Sequence, residues 1–584
     1  MMAGLEVAAA GVSFIAFAFQ SFQGCVQAFE FFETTQNIGS DGDLLRTGLE
    51  IQKYRLIKWA ERSGLGKTER PAVNWQYARL VLDQLLVMLT SAEKLKTLYH
   101  LEVSEETLET AEQLRTAESP KQGIAKLIAR LRPTIQTAAG KIIQESNSTV
   151  KRLRWATRDK TKLKQYLDEI KNLVDNLDML LDHAERESDR DDMERLLRGL
   201  VSFIPSTTEA EQIEELVGVG RHHRHASEEA IKAAAYVKQV RLVVGADKRE
   251  DEETPSFRKA PIFMPTLRKL KHRYLRPRAG GELREAGIEL GLYQDAPVLV
   301  QWKVAEGPEW SRFEQQMKSL TVLLMSLVHE SFHSLPCLGL VSVKDKGRYG
   351  LVFVLPTDVV DLQVTGLDEL VKTTQRISLA RRLEVSCNIA EAVLQLHTAG
   401  WMHKSLRPAN VVFLAQQGAK PEEILQTTPY IVGYDYARPD TQDAAKAFTQ
   451  LPEPSLRSEL YRHPQARGAH RQTYQKRFDM YALGCLIVEL MAWRSLADLH
   501  SEHTDQGFGG RLEQAENTNG VTEVPSLDEL MEKQGAVDDL EHQAGGQVVN
   551  AVRRCLGMKQ VEGTEDAGLE DQMAVVEMLS WCRV

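Results

Sequence analysis

The sequence predicts two folded parts of different class, an all-α helical bundle followed by an α+β domain. Three observations carry this. Before Phe203 apolar residues recur at helical spacing with almost no strand alternation; after residue 280 short apolar runs alternate with helical stretches; and a charged run, Asp247 to Glu253, reads as a solvated linker between them. A chain of 584 residues exceeds one compact core, since domains run to about 100–200 residues. Its 43% apolar and 26% charged residues are those of an ordinary globular protein and exclude collagen-like or mostly disordered chains. The net charge of -10 opposes unspecific contact with polyanions, so no nucleic-acid partner is expected. Six cysteines without a CxxC pair argue against a zinc ribbon or a disulfide scaffold and point to a reducing, cytoplasmic setting.

The elements of the first part follow in order. Val7 to Phe29 is a run of 23 residues without charge, long enough as a helix to cross a bilayer of ~30 Å. No Lys or Arg precedes it, as a secretory signal requires, and it holds Ser13, Gln20, Ser21, Gln23 and Gln27. The expectation is a buried first helix at rest that inserts in membrane only conditionally. Amphipathic helices are predicted over Asp43 to Gly64 and Asn74 to Tyr99. The clearest stripe runs through Leu163, Leu167, Ile170, Leu173, Val174, Leu177, Leu180 and Leu181, with a charged opposite face. Nothing in this part looks catalytic.

The opening "GLEVAAAGVSFIAFAFQSFQGCVQAFEFF", the "LEIQKYRLIKWAERSGL" helix and the "RLRWATRDKTKLKQYLDEIKNLVDNLDMLL" helix together resemble the HeLo domain of filamentous fungi. The resemblance covers residues 1–205. It implies a cell-death effector whose first helix leaves the bundle and enters membrane, with Val7, Phe14, Phe17, Phe19 and Phe22 as insertion candidates and self-association expected.

Residues 206–279 are predicted as a helical and charged linker. Arg221, His222, His223, Arg224 and His225 do not make a metal site, because the arginines repel a cation and no carboxylate or Cys stands at ligand spacing. Residues 258–278 hold eight Lys or Arg and no acid. Arg268, Lys269, Lys271 and Arg273 are candidates for contact with an anionic membrane, at about 1 kcal/mol per basic residue; a basic brace against the acidic remainder of the chain is the other reading.

In residues 280–584, strands are predicted at Val298 to Val300, ending in Trp302 and Lys303, and at Gly339 to Val343 and Tyr349 to Leu355, with a helix to Val328 between and another over Leu379 to His397. The run His403-Lys404-Ser405-Leu406-Arg407-Pro408-Ala409-Asn410 resembles the H-R-D-L-x-x-x-N catalytic loop of protein kinases. "YIVGYDYAR" resembles the D-F-G segment, "YRHPQ", with Pro464, the A-P-E region, and "FDMYALGCLIVELMAW" the long central helix. The resemblance implies a bilobal α+β kinase-like fold with His403, Pro464 and Asp479 in structural roles. Its charged parts are missing: Ser405 stands where the catalytic Asp belongs and Gly433 where the magnesium-binding Asp belongs, with Asp435 displaced by two residues. No acid lies between Glu314 and Glu330 to pair with Lys303, and Gly280, Gly281, Gly287 and Gly291 never make G-x-G-x-x-G. Phosphoryl transfer rests on positioning and charge stabilisation, so the expectation is a pseudokinase. Lys303 and Asn410 remain as nucleotide-binding candidates, for ATP held weakly and without metal. The expected function is a HeLo effector governed by a pseudokinase, answering to an unidentified upstream protein and recruited from cytoplasm to membrane. An atypical protein kinase with a docking module and a non-catalytic assembly scaffold are the alternatives.

Overall fold

The computed structural model describes residues 18–30, 35–37, 40–65, 73–91, 95, 97–98, 153–155, 160–203, 226–246, 265–283, 287–304, 310–355, 361–374, 377–439, 456–468, 471–503, 524–557 and 567–582. The chain divides into two units, 1–232 and 233–584.

The first unit is helical: α1 (residues 18–30), α2 (Ser40–Arg62), α3 (Trp75–Thr90), α4 (Lys160–Asp178) and α5 (His183–Phe203), with α6 (Ala226–Ala246) running across the boundary. The stripe on α4 is buried as its three-four spacing predicts, and Leu163, Ile170 and Val174 share one core with Phe22, Trp59 and Leu82. Asn74 starts α3 by accepting from the Tyr77 N–H at 3.2 Å, and the helix stops at Thr90, nine residues before the predicted end at Tyr99. Basic residues on α2 reach carboxylates on α4 and α5: Arg55 pairs with Asp175 at 2.6 Å and with Asp178, and Arg62 with Asp192 at 2.5 Å. One feature departs from the all-α expectation. Strand β1 (Thr35–Asn37) pairs in parallel with β2 (Leu153–Trp155), a contact too short and too distant in sequence to leave an alternating pattern.

The second unit combines mixed sheet and helices. Strands β3 (Lys269–Leu270), β4 (Leu275–Leu283), β5 (Ile288–Tyr293), β6 (Ala296–Val304), β7 (Cys337–Val343) and β8 (Arg348–Val354) form one sheet of order β3-β7-β8-β6-β5-β4. The sheet therefore begins upstream of residue 280, inside the stretch read as linker. Helix α7 (Trp310–Ser326) connects β6 to β7. After β9 (Leu362–Gly366) come α8 (Leu379–Thr398), β10 (Trp401–Met402), β11 (Val411–Gln416), β12 (Pro429–Ile431) and β13 (Arg438–Pro439). β11 lies between β12 and β9, and β10 pairs with β13. Helix α9 (Lys476–Ala492) is buried continuously from Phe478 to Met491, the consequence of a segment apolar on every face, and α10 (Leu496–His503), α11 (Gln534–Ala544), α12 (Gly546–Gly557) and α13 (Ala567–Trp581) complete the unit.

Candidate functional site

The loop after β10 is organised by a carboxylate from α9. Asp479, wholly buried, accepts from the backbone N–H groups of His403 (2.8 Å) and Lys404 (2.9 Å), from the Tyr474 hydroxyl (2.7 Å) and from His397 Nε2 (3.0 Å). Burial pushes this carboxyl up, but hydrogen bonding to His397 and Tyr474 outweighs it and holds it below the usual range. His403 Nε2 donates to the Val432 carbonyl at 3.0 Å while its Nδ1 accepts from the Ser405 N–H at 3.2 Å, which places the ring proton on Nε2. Lys404 takes φ +68°, and burial, then the neighbouring charges of Arg438, Lys303 and Arg462, push its ammonium down to about 7 against the pull of Asp479.

Ser405, Asn410 and Gly433 come together. The Asn410 amide nitrogen donates to the Ser405 carbonyl (2.6 Å) and to its hydroxyl (3.0 Å), and the Asn410 side chain lies against Gly433. Gly433 has φ +85°, and a Cβ there would stand 2.4 Å from Asn410 Cγ, so glycine is required on both counts. Tyr434 is buried edge-on against His403, centroids 4.8 Å apart. For a divalent cation this set does not fit. Ser405 and Gly433 bring no carboxylate, so the described side chains offer only the neutral Asn410 Oδ1 and Ser405 hydroxyl, without the anionic ligand that usually anchors such an ion. The side chain of Asp435 lies outside the described residues.

Lys303 is 7% exposed, and its ammonium sits 3.2 Å from the centroid of the Tyr436 ring, a cation–π contact. Gln301, two residues before it on β6, also reaches this segment: its Oε1 accepts from the Gly433 N–H at 3.1 Å. Sequence reading missed Gln301 because it sought a lysine. The available signal was the period of two, which puts residues 301 and 303 on one face of the strand. On α7, Glu314 pairs with Lys318 at 2.8 Å, and Leu320 and Leu323 are buried. Pro464 opens a short 3-10 turn, Pro464–Ala466, beside His463, whose ring stacks on Phe478 at 4.6 Å.

A second buried carboxyl fastens the segment around that turn to α9. Glu489 accepts from the Tyr461 hydroxyl at 2.7 Å, and burial pushes it up to about 8. Its unfolded value is about 4.3, so the folded state holds a proton that the unfolded state has released. The resulting stability is complete below about pH 4.3 and is lost as pH rises through about 8. Melting temperatures of the wild type and Glu489→Gln, compared from pH 5 to 8, should diverge steadily in favour of the variant; parallel curves would refute this assignment.

In the first unit Phe19 and Phe22 lie in the core, 6.4 Å apart by ring centroids, while Val7, Phe14 and Phe17 lie outside the described residues. Ser21 donates to Asp83, and the Cys25 thiol to the Leu82 carbonyl at 3.4 Å, tying α1 to α3. Among the described residues no single helix is long and apolar enough to cross a membrane, and none of the His, Cys, Asp and Glu residues cluster as a metal site. The tract Arg221 to His225 and the run Asp247 to Glu253 are also outside those residues. Arg268, Lys269, Lys271 and Arg273 are exposed.

Comparison with known proteins decides the first unit: residues 9–216 match the HeLo family, described as prion-inhibition and propagation. The chain carries a HeLo domain. Its relatives include heterokaryon incompatibility protein S of Podospora anserina, 24% identical over 163 residues, 27% of this chain and 53% of that protein. The protein s of the same species is 23% identical over the same length. The chain thus spans about half the length of these relatives. A probable inactive receptor kinase of Arabidopsis thaliana is 25% identical over 139 residues, 23% of this chain and 12% of that protein.

Proposed function

We propose that this protein is a cell-death effector in which the HeLo domain permeabilises membrane and the second unit, a pseudokinase, holds or releases it in response to an upstream protein. The observation that carries the pseudokinase reading is the contact between Asn410 and Gly433: the side chain of the one occupies the space that any carboxylate on the other would need. The similarity to an inactive receptor kinase supports it. Tyr436 engages the Lys303 ammonium, which leaves a nucleotide with little beyond weak, metal-independent contacts. Self-association would complete the effector, because the polar residues of α1 are costly for a lone lipid-facing helix.

The test measures dye leakage from liposomes and radiolabelled phosphate transfer on one preparation of the full chain, released and unreleased forms alike. Leakage is expected without transfer. Loss of one preorganised stabilising group costs about 100- to 1000-fold in rate, so the loss at both Ser405 and Gly433 leaves activity at background with magnesium or manganese. Deleting residues 2–33 should abolish leakage. Leakage undiminished by that deletion would sink the effector assignment, and autophosphorylation abolished by Lys303→Ala would replace the pseudokinase with an atypical kinase.

A further inference from the structure

The basic stretch is a built part of the second unit. β3 pairs with β7 at one edge of the six-stranded sheet, β4 with β5 at the other, and residues 271–274 bridge the two edges. Leu270 and Leu275 point inward and pack on the core of Val298, Val300, Val341 and Val352. The backbone is fastened along its length: the Leu340 N–H donates to the Arg268 carbonyl (2.9 Å), the Lys271 N–H to the Tyr293 hydroxyl (3.3 Å), and the Gln294 N–H to the Tyr274 carbonyl (3.2 Å). Gly339 belongs to the same fit, for a Cβ there would meet the Arg268 carbonyl oxygen at 2.3 Å. With the two leucines partly buried against that core, Arg268, Lys269, Lys271 and Arg273 are all exposed. The strap therefore presents a fixed row of cations, in contrast to the same charges on a loose linker, which would lose entropy on docking.

We propose that this strap is a docking surface for anionic phospholipid bilayer. Charge complementarity is the first argument, since about four basic groups near an anionic leaflet act together and act only within a Debye length. The second is the end of the row. Tyr274 and Leu292, 39% and 37% exposed, stand beside Arg276, an arrangement of apolar tip and basic flank that suits the headgroup region. The Tyr274 ring is already engaged by the Arg273 guanidinium at 4.8 Å and edge-on by Tyr293 at 6.4 Å, so it offers no open face on which a nucleobase could stack. Docking by the strap requires no insertion of α1 and stands or falls separately from the effector reading.

Flotation of the full chain with vesicles of phosphatidylcholine, alone or mixed with phosphatidylserine, tests this, with dye release recorded in the same samples as the separate sign of insertion. Binding should need phosphatidylserine and weaken with salt. Arg268→Glu, Lys269→Glu, Lys271→Glu and Arg273→Glu combined should reduce it by at least about a hundredfold, given about fivefold, the equivalent of about 1 kcal/mol, for each basic residue lost. If the fourfold variant does not fold, Lys271→Gln with Arg273→Gln should lower binding by about 25-fold. Phosphatidylserine binding unchanged in whichever variant folds, or polyuridylate bound in preference to vesicles, would overturn the proposal.

Discussion

Asp479→Ala is expected to destabilise the carboxy-terminal unit by about 3–5 kcal/mol, the range for stripping one partner from a buried charged network. The variant leaves the N–H groups of His403 and Lys404, the Tyr474 hydroxyl and the His397 ring without their acceptor, with the His403 and His397 partners buried. Asp479→Asn should recover only part of the loss, because its amide nitrogen must face a donor. Denaturant unfolding of the full chain reports the change as a lower midpoint for the second transition. A midpoint within error of wild type would show that these bonds do not hold the loop.

The second large effect concerns placing carboxylates at residues 405 and 433. Ser405→Asp with Gly433→Asp should fail to yield phosphate transfer and should cost about 1–3 kcal/mol of stability, through left-handed backbone at a non-glycine residue and overlap with Asn410. Gly433→Ala alone should bear most of that cost, since the first side-chain carbon already collides. Thermal melts and radiolabelled transfer together check it: a double variant that melts like wild type and phosphorylates would remove the steric argument.

Legibility in the sequence differed between the two units for a physical reason. Helical spacing is local, so the stripe from Leu163 to Leu181 and the bulk of α2, α3 and α9 could be read from neighbours three and four residues apart. Partnership across strands is not local. That Gln301 bonds to the Gly433 N–H follows from the register of β6 and the path of a segment 132 residues away, which no window of sequence contains. The place of the basic stretch in the sheet was hidden for a similar reason: Leu270 and Leu275 anchor it partly buried, and their partners on β5 to β8 follow later in the chain. That Ser405 and Gly433 bring no carboxylate was visible by residue identity alone, whereas the mutual dependence of Gly433 and Asn410 lies in a contact between segments far apart in the chain.

Helix α1 contributes Phe19, Phe22, Cys25, Val26 and Phe29 to the same core as Trp59, Leu82 and Leu85. Its departure would strip apolar cover from the helices left behind as well as from itself. Two sticky surfaces would be born in one event, and neither is at rest in water. Under the proposed function, withdrawal of α1 would be a nucleation problem: a single opened molecule would be a high-energy species, and each further copy that shielded the vacated groove would lower the barrier for the next. Response to a rising trigger should then be abrupt and should depend on protein concentration, with a lag that seeding by opened molecules shortens.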